Sequence, residues 1–239
     1  WSMELVPVYS RVGVEYTVLC EQHFRLAGGD KGDIYEPYRL VHPGTGDSIV
    51  VFFRDKELSD WISFKTDFTS LEEVEAAARE FILKLYDRYR SGGGVCVIAL
   101  DGENWMVTPW LRRYAALFLD KIWGYLERGE GVIRLKTLSE ALSEHKPART
   151  LTYGPWGSWI GLSDKQWTGG VKDDLWGYVY ERLKWVAAYY YTIPPEVREE
   201  MLWREETPLY RSFKAAAIAL DSDCLLYTSD AADDGESVD

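Results

Sequence analysis

Residues 49–100 hold the arrangement that most constrains the fold. Ile49-Val-Val-Phe-Phe-Arg54 and Val95-Cys-Val-Ile-Ala-Leu100 are β-branched or aromatic runs that read as short buried strands. Between them, "SLEEVEAAAREFILKLYDRYRSGGG" opens on Ser70 with Glu73 three residues later, a capping box, and carries Leu71, Val74, Ala78, Phe81, Leu85 and Tyr89 at helical spacing. Gly92 to Gly94 stop that helix. Strand, helix, strand in this order implies a parallel sheet with a right-handed crossover.

Upstream, residues 14–19 (VEYTVL) read as another strand; downstream, 131–135 (GVIRL) is strand-like and precedes a second capping box, Thr137 with Glu140. Much of the rest is helical in pattern: 108–128 and 173–192, then, after Pro194 and Pro195, 196–206 and 208–220. Residues 150–171 form a Gly- and Trp-rich loop. Structureless loops of this length in compact domains are functional or disordered, and the aromatics here argue against disorder. The expectation is an α/β chain: an incomplete (β/α)7 barrel, its carboxyl-terminal half in residues 1–110, then a helical subdomain over 111–223 that lends its loop to a site.

Composition narrows the classes. A net charge of −12 argues against nucleic acid, whose binders present basic surfaces. No apolar run approaches a membrane span. Cys20, Cys96 and Cys224 make no disulfide framework, which favours a cytoplasmic setting. Eleven Trp and sixteen Tyr suit aromatic core packing, and flat aromatic faces also line sugar-binding clefts. Residues 224–239 have no helical or strand period, and 224–234 resemble a translated sequencing adapter; the other reading is an ordinary acidic tail. Without the tail's five carboxylates the charge is −7. Residues 224–239 are therefore expected to be a non-native, disordered tail, and the chain an internal fragment of an environmental gene.

The third strand ends in "LDGENW", two carboxylates crowded beside an indole. Asp-Gly is a common turn dipeptide, so Asp101 reads as a structural turn. It also stands at the carboxyl end of a strand, where β/α barrels place catalytic groups. Two acids beside an indole suit glycoside cleavage, in which one carboxyl protonates the leaving oxygen and another attacks or positions water. Spacing alone leaves both readings open.

The wider pattern resembles a known family. "GGGVCVIALDGENW", then "GSWIGLSDKQWTGGVKDDLWGYV", then "ALDSD", with "VFFRDKELSDWISF" ahead of them, are similar to glycoside hydrolase family 57, retaining enzymes active on α-glucans, over residues 1–223. The resemblance implies that Asp101 is the general acid/base. It makes Glu103 a substrate contact or support for the acid, with a loop-ordering salt bridge as the alternative. Trp105 would contact substrate, Trp159 and Trp167 would stack on a sugar ring or form a hydrophobic lid, and Asp223 would face the active site. It implies no cofactor and no metal, and an α-glucan polysaccharide or oligosaccharide as partner.

In the family's nucleophile motif, Glu-Arg-Val-Trp, the Trp is followed by a short helix, a Gly, a strand and an Asp-x-His-Phe end. Trp1, Gly13, VEYTVL and His23-Phe24 fit that frame, which sets the nucleophile three positions ahead of Trp1. Glu4 is the tempting substitute, but too little chain separates it from Gly13 for the helix. Cys20 stands where the family usually has Asp. The activity implied is double-displacement hydrolysis, with glucanotransferase or branching activity as the same-site alternative and a non-catalytic glucan-binding barrel as the rival. His23, His42 and His145 include no His-x-x-x-His pair, so a metal-dependent deacetylase is disfavoured. Oligomeric state is not legible.

Overall fold

The computed structural model of the chain describes residues 1–29, 34–64, 68–92, 94–101, 109–128, 132–147, 149–165 and 167–220. It divides into two compact units, Trp1–Leu162 and Ser163–Asp239.

The first unit is built on a mixed sheet of β1 (Tyr16–Cys20), β2 (Tyr38–Val41), β3 (Ser48–Arg54) and β4 (Arg149–Leu151), in the order β1-β3-β2-β4. β1 runs parallel to β3, with Cys20 opposite Arg54. β2 returns antiparallel to β3, and β4 lies parallel to β2. β3 is buried from Val51 to Arg54, as an apolar run covered on both faces must be. Ile49, Val51 and Phe53 alternate onto one face, where they meet Val6, Phe24, Tyr38 and Leu40.

Before β1 comes α1 (Leu5–Arg11), then Gly13 at φ +81°, a left-handed conformation that glycine adopts without strain. Helix, glycine and strand follow Trp1 in the expected order, but α1 begins at Leu5, directly after Glu4, so the stretch from Glu4 to Gly13 does hold the helix, against the expectation that it is too short. The predicted strand end at His23-Phe24 is different: the strand stops at Cys20, and both residues lie in α2 (Glu21–Leu26), where they are buried. Cys20 is extended at ψ 159° and starts the helix, so the side chains turn back under the sheet.

A second core forms among the helices that follow β3. α3 (Lys56–Phe64), α4 (Leu71–Arg90) and α5 (Pro109–Arg128) pack through Leu58, Trp61, Ile62, Val74, Ala78, Phe81, Leu85, Phe118 and Ile122. In α4 the four middle residues of the predicted stripe are buried, while Leu71 and Tyr89 at its ends are exposed. Ser70 Oγ accepts from the Glu73 amide, and the Glu73 carboxylate accepts from Thr69 N at 2.7 Å. The capping box at Thr137 and Glu140 starts α6 (Leu138–Glu144) as predicted.

Two predicted strands are not regular strands. Residues 95–100 make one isolated parallel bridge, Val97 to Arg54, and 132–137 have no regular structure. Both runs line one largely apolar cavity of about 660 Å³. Paired strands lie about 4.8 Å apart, so two runs that face each other across such a space make no ladder.

The second unit, as described, is helical: α7 (Val171–Thr192), α8 (Pro195–Trp203) and α9 (Pro208–Ala219). Ile193 and Leu209 are buried in it, whereas α7 buries none of its residues and exposes Tyr178, Trp185 and Tyr191. Among the described residues no helix is long and apolar enough to cross a membrane.

Candidate active site

The ends of β1 and β3 and the segment 95–101 converge on one edge of the sheet. Asp55 N donates to Val97 O at 2.8 Å and Val95 N to Tyr35 O at 2.7 Å, which carries the segment past the end of β3. Backbone pairing with β3 then stops. At Ala99, side chains take over: its N–H donates to Ser59 Oγ at 3.2 Å, and its carbonyl accepts from Arg54 Nη1 at 2.8 Å. Two residues on, Asp101 is exposed at the rim of a cleft of about 230 Å³.

Cys20, Arg54, Asp60, Asp101 and Trp159 all line this cleft. Arg54 is 8% exposed, and its second nitrogen, Nη2, binds Asp60 Oδ1 at 2.7 Å. Lys56 also binds Asp60, so that carboxylate bridges two cations. The Arg54 guanidinium lies 5.2 Å from the centroid of the Trp159 ring, within cation–π range.

The loop that carries Trp159 is pinned at Gly157. Gly157 N donates to Trp1 O at 3.1 Å, the Trp1 amino group donates to Gly157 O at 3.0 Å, and His23 Nε2 lies 3.1 Å from the same oxygen. A carbonyl only accepts, so Nε2 carries the proton. In the neutral ring Nδ1 is then an acceptor, and the Cys20 thiol, 2.9 Å away, donates to it. Burial holds the His23 pKa below its ordinary 6.5. His23 is therefore a satisfied, neutral buried residue.

Beneath the cleft, Asp55 is 2% exposed and fully engaged. It accepts from Tyr35 Oη and Arg88 Nε, each at 2.8 Å, and from Leu58 N at 2.9 Å, which caps α3. Burial and the bond to Asp55 push the Tyr35 pKa upward, and burial raises the Cys96 thiol to about 12. These groups are structural.

Of the residues singled out from sequence, Asp101 and Trp159 come together. Trp167 lies in the second unit, where its carbonyl accepts from Trp176 Nε1 at 2.7 Å. Glu103, Trp105, Asp223 and the tail 224–239 lie outside the described residues. Glu4 is 82% exposed, pairs with His42 at 3.5 Å and does not line the cleft. Sequence reasoning missed Arg54 and Asp60, although their six-residue spacing across a strand–helix junction was available. Among the described residues no group of three or more His, Cys, Asp or Glu could hold a metal ion. The arrangement offers a carboxyl for proton transfer, a fixed guanidinium and an indole for stacking.

Comparison with known proteins places these features in context. A sequence model for glycosyl hydrolase family 57 matches residues 1–154. An alpha-amylase of Pyrococcus horikoshii is 30% identical over 170 residues, 69% of this chain and 24% of its own length. A 4-alpha-glucanotransferase of Thermococcus litoralis is 31% identical over 174 residues, 69% of this chain and 23% of its own. The chain thus spans about a quarter of the length of these curated relatives. Among solved structures, the alpha-amylase AmyC of Thermotoga maritima shares the fold with a TM-score of 0.57 at 16% identity, over 95% of this chain and 57% of that one.

Proposed function

The chain belongs to glycosyl hydrolase family 57, and on that premise we propose that Asp101 is the general acid/base of a retaining enzyme acting on α-glucans. The observation that carries the reading is the placement of Asp101 at the rim of a cleft walled by the Trp159 indole. A carboxyl there has solvent access for proton exchange, and the indole offers a face to a sugar ring.

The reaction proposed is double displacement. The family resemblance sets the attacking Glu three positions ahead of Trp1, whose backbone is paired with Gly157 two residues from Trp159. Protonated Asp101 donates to the leaving glycosidic oxygen as the Glu bonds to the anomeric carbon. Asp101, now ionised, then takes a proton from water as the water oxygen bonds to the anomeric carbon and the bond to the Glu breaks, which releases the glucan with its configuration retained. Retention requires the two carboxyls about 5–5.5 Å apart. When an acceptor sugar hydroxyl replaces water, the same steps transfer the glucan. The relatives' names divide between these two outcomes.

The sheet is proposed to be part of an incomplete (β/α)7 barrel. The parallel pair β1–β3 and the parallel bridge to Val97 support this, and β2 would then be a hairpin excursion from the barrel wall.

The test is Asp101→Asn in the intact protein. General acid–base catalysis contributes roughly 10²–10⁴-fold, and a fall of that size is expected in kcat on maltooligosaccharides. Activity within about threefold of the parent would remove Asp101 from the mechanism.

A further inference from the structure

Residues 95–101 reach the cleft without a sheet ladder, so something other than backbone pairing must fix where Asp101 stands. Asp55 N to Val97 O is the last backbone bond between the two segments, and Ala99, two residues before Asp101, has its carbonyl bound by Arg54 Nη1 at 2.8 Å. The same guanidinium binds Asp60 at 2.7 Å through Nη2 and lies 5.2 Å from the Trp159 ring centroid. Among the described residues its Nε is buried without a hydrogen-bond partner, so Nη1 and Nη2 carry the bonds of the guanidinium.

We infer that Arg54 is a positioning residue. Its guanidinium holds the segment that carries Asp101 and the indole of Trp159 in one register, coupling the proton donor to the sugar-stacking face. The inference rests on the reading of Asp101 as the acid/base. Arg rather than Lys is required because a planar fork serves two acceptors at fixed angles while stacking on an indole, and an ammonium offers no such plane. Asp60 orients the fork from the far side, and the Cys20–Arg54–Val97 backbone register fixes the root of the side chain.

The consequence is specific to proton donation. A misplacement of about 1 Å near a reacting group costs on the order of 100-fold, but only in a step that needs that group. A sugar leaving group needs protonation; a 2,4-dinitrophenolate, a weak base, does not. Arg54→Met and Arg54→Lys are therefore compared with the parent intact protein on maltoheptaose and on 2,4-dinitrophenyl α-maltotrioside, reading kcat/KM. For Arg54→Met the loss on maltoheptaose should exceed the loss on the aryl glycoside by about tenfold or more. Arg54→Lys, which keeps the charge and one donor, should show the same preference at smaller size, and it carries the test if the Met variant does not fold. Losses on the two substrates that agree within about threefold would overturn the assignment, because simple loosening of the fold hits both alike. Asp101→Ala runs beside them. If it too lacks leaving-group dependence, the acid/base reading itself has failed, and the inference falls with it; if Asp101→Ala shows the dependence and the Arg54 variants do not, only the inference falls.

Discussion

His23 Nε2 donates to the carbonyl of Gly157 across 3.1 Å, joining a helix that follows β1 to the loop of Trp159, 134 residues away in sequence. The bond fixes the tautomer and leaves Nδ1 to accept from the Cys20 thiol. Burial, the largest influence, keeps the imidazole neutral below its ordinary pKa of 6.5. Between the lowered folded value and the unfolded value, the unfolded chain binds a proton that the native chain refuses, so stability rises with pH there. The contribution is fully present above about pH 6.5 and is lost as pH falls below it. Unfolding free energies of the parent and of His23→Gln, measured from pH 5 to 7.5, should diverge toward neutral pH in favour of the parent. Parallel curves would show that His23 does not titrate with folding. Cys20→Asp should reverse the slope. A carboxylate at that place accepts from Nδ1–H, which makes the ring a cation, raises its pKa, and confines its contribution to pH below the new folded value.

Asp55 offers a test of the buried network at the end of β3. Removing one partner of a buried ion pair is strongly destabilising, typically by about 3–5 kcal/mol, because a charge is left uncompensated. Arg88 is 23% exposed and water reaches it, so Arg88→Met should fall near the low end, at about 3 kcal/mol. Tyr35→Phe leaves Asp55 with two donors and should cost about 1 kcal/mol. Both act on one carboxylate, so the double variant should not be additive. Urea unfolding reads all three, and a loss under about 1 kcal/mol for Arg88→Met would mean the pair is not holding α3 and α4 together.

These residues also show which parts of the chain are legible in sequence. β3 and α4 announce themselves, one by a continuous apolar run and the other by the capped stripe Val74, Ala78, Phe81 and Leu85. Helix α3 was hidden because its signal is split: Asp55 caps it, and Leu58, Trp61 and Ile62 stand at helical spacing inside a string that begins as a strand. Strands β2 and β4 are four and three residues long, below the reach of any periodicity argument. Residues 95–100 have strand composition but little ladder, since Arg54 and Ser59 satisfy Ala99 in place of a neighbouring backbone. In the site, Asp101 and Trp159 could be named because they carry family motifs. Arg54 could not, because an Arg at a strand end usually reads as a solvated terminus and its partners come from three separate segments.

Gly157 ties the loop to the site, and it is the position where the loop is least tolerant. Its φ is +136°, and a Cβ there would sit 2.4 Å from the carbonyl oxygen of Leu162, a backbone atom that cannot swing aside. Gly157→Ala therefore has to break the pairing with Trp1 and His23, releasing Trp159 from the cleft wall. Trp159 itself is half-buried and contributes little to the two cores, so Trp159→Ala should weaken oligosaccharide binding while melting stays within about 4 °C of the parent. Gly157→Ala should match that binding loss although the indole is still present, and should open residues 154–162 to limited proteolysis. If Gly157→Ala binds maltooligosaccharides as the parent does while Trp159→Ala does not, the indole finds its place without the glycine pin. If neither variant loses binding, Trp159 is part of a hydrophobic lid and not a sugar platform.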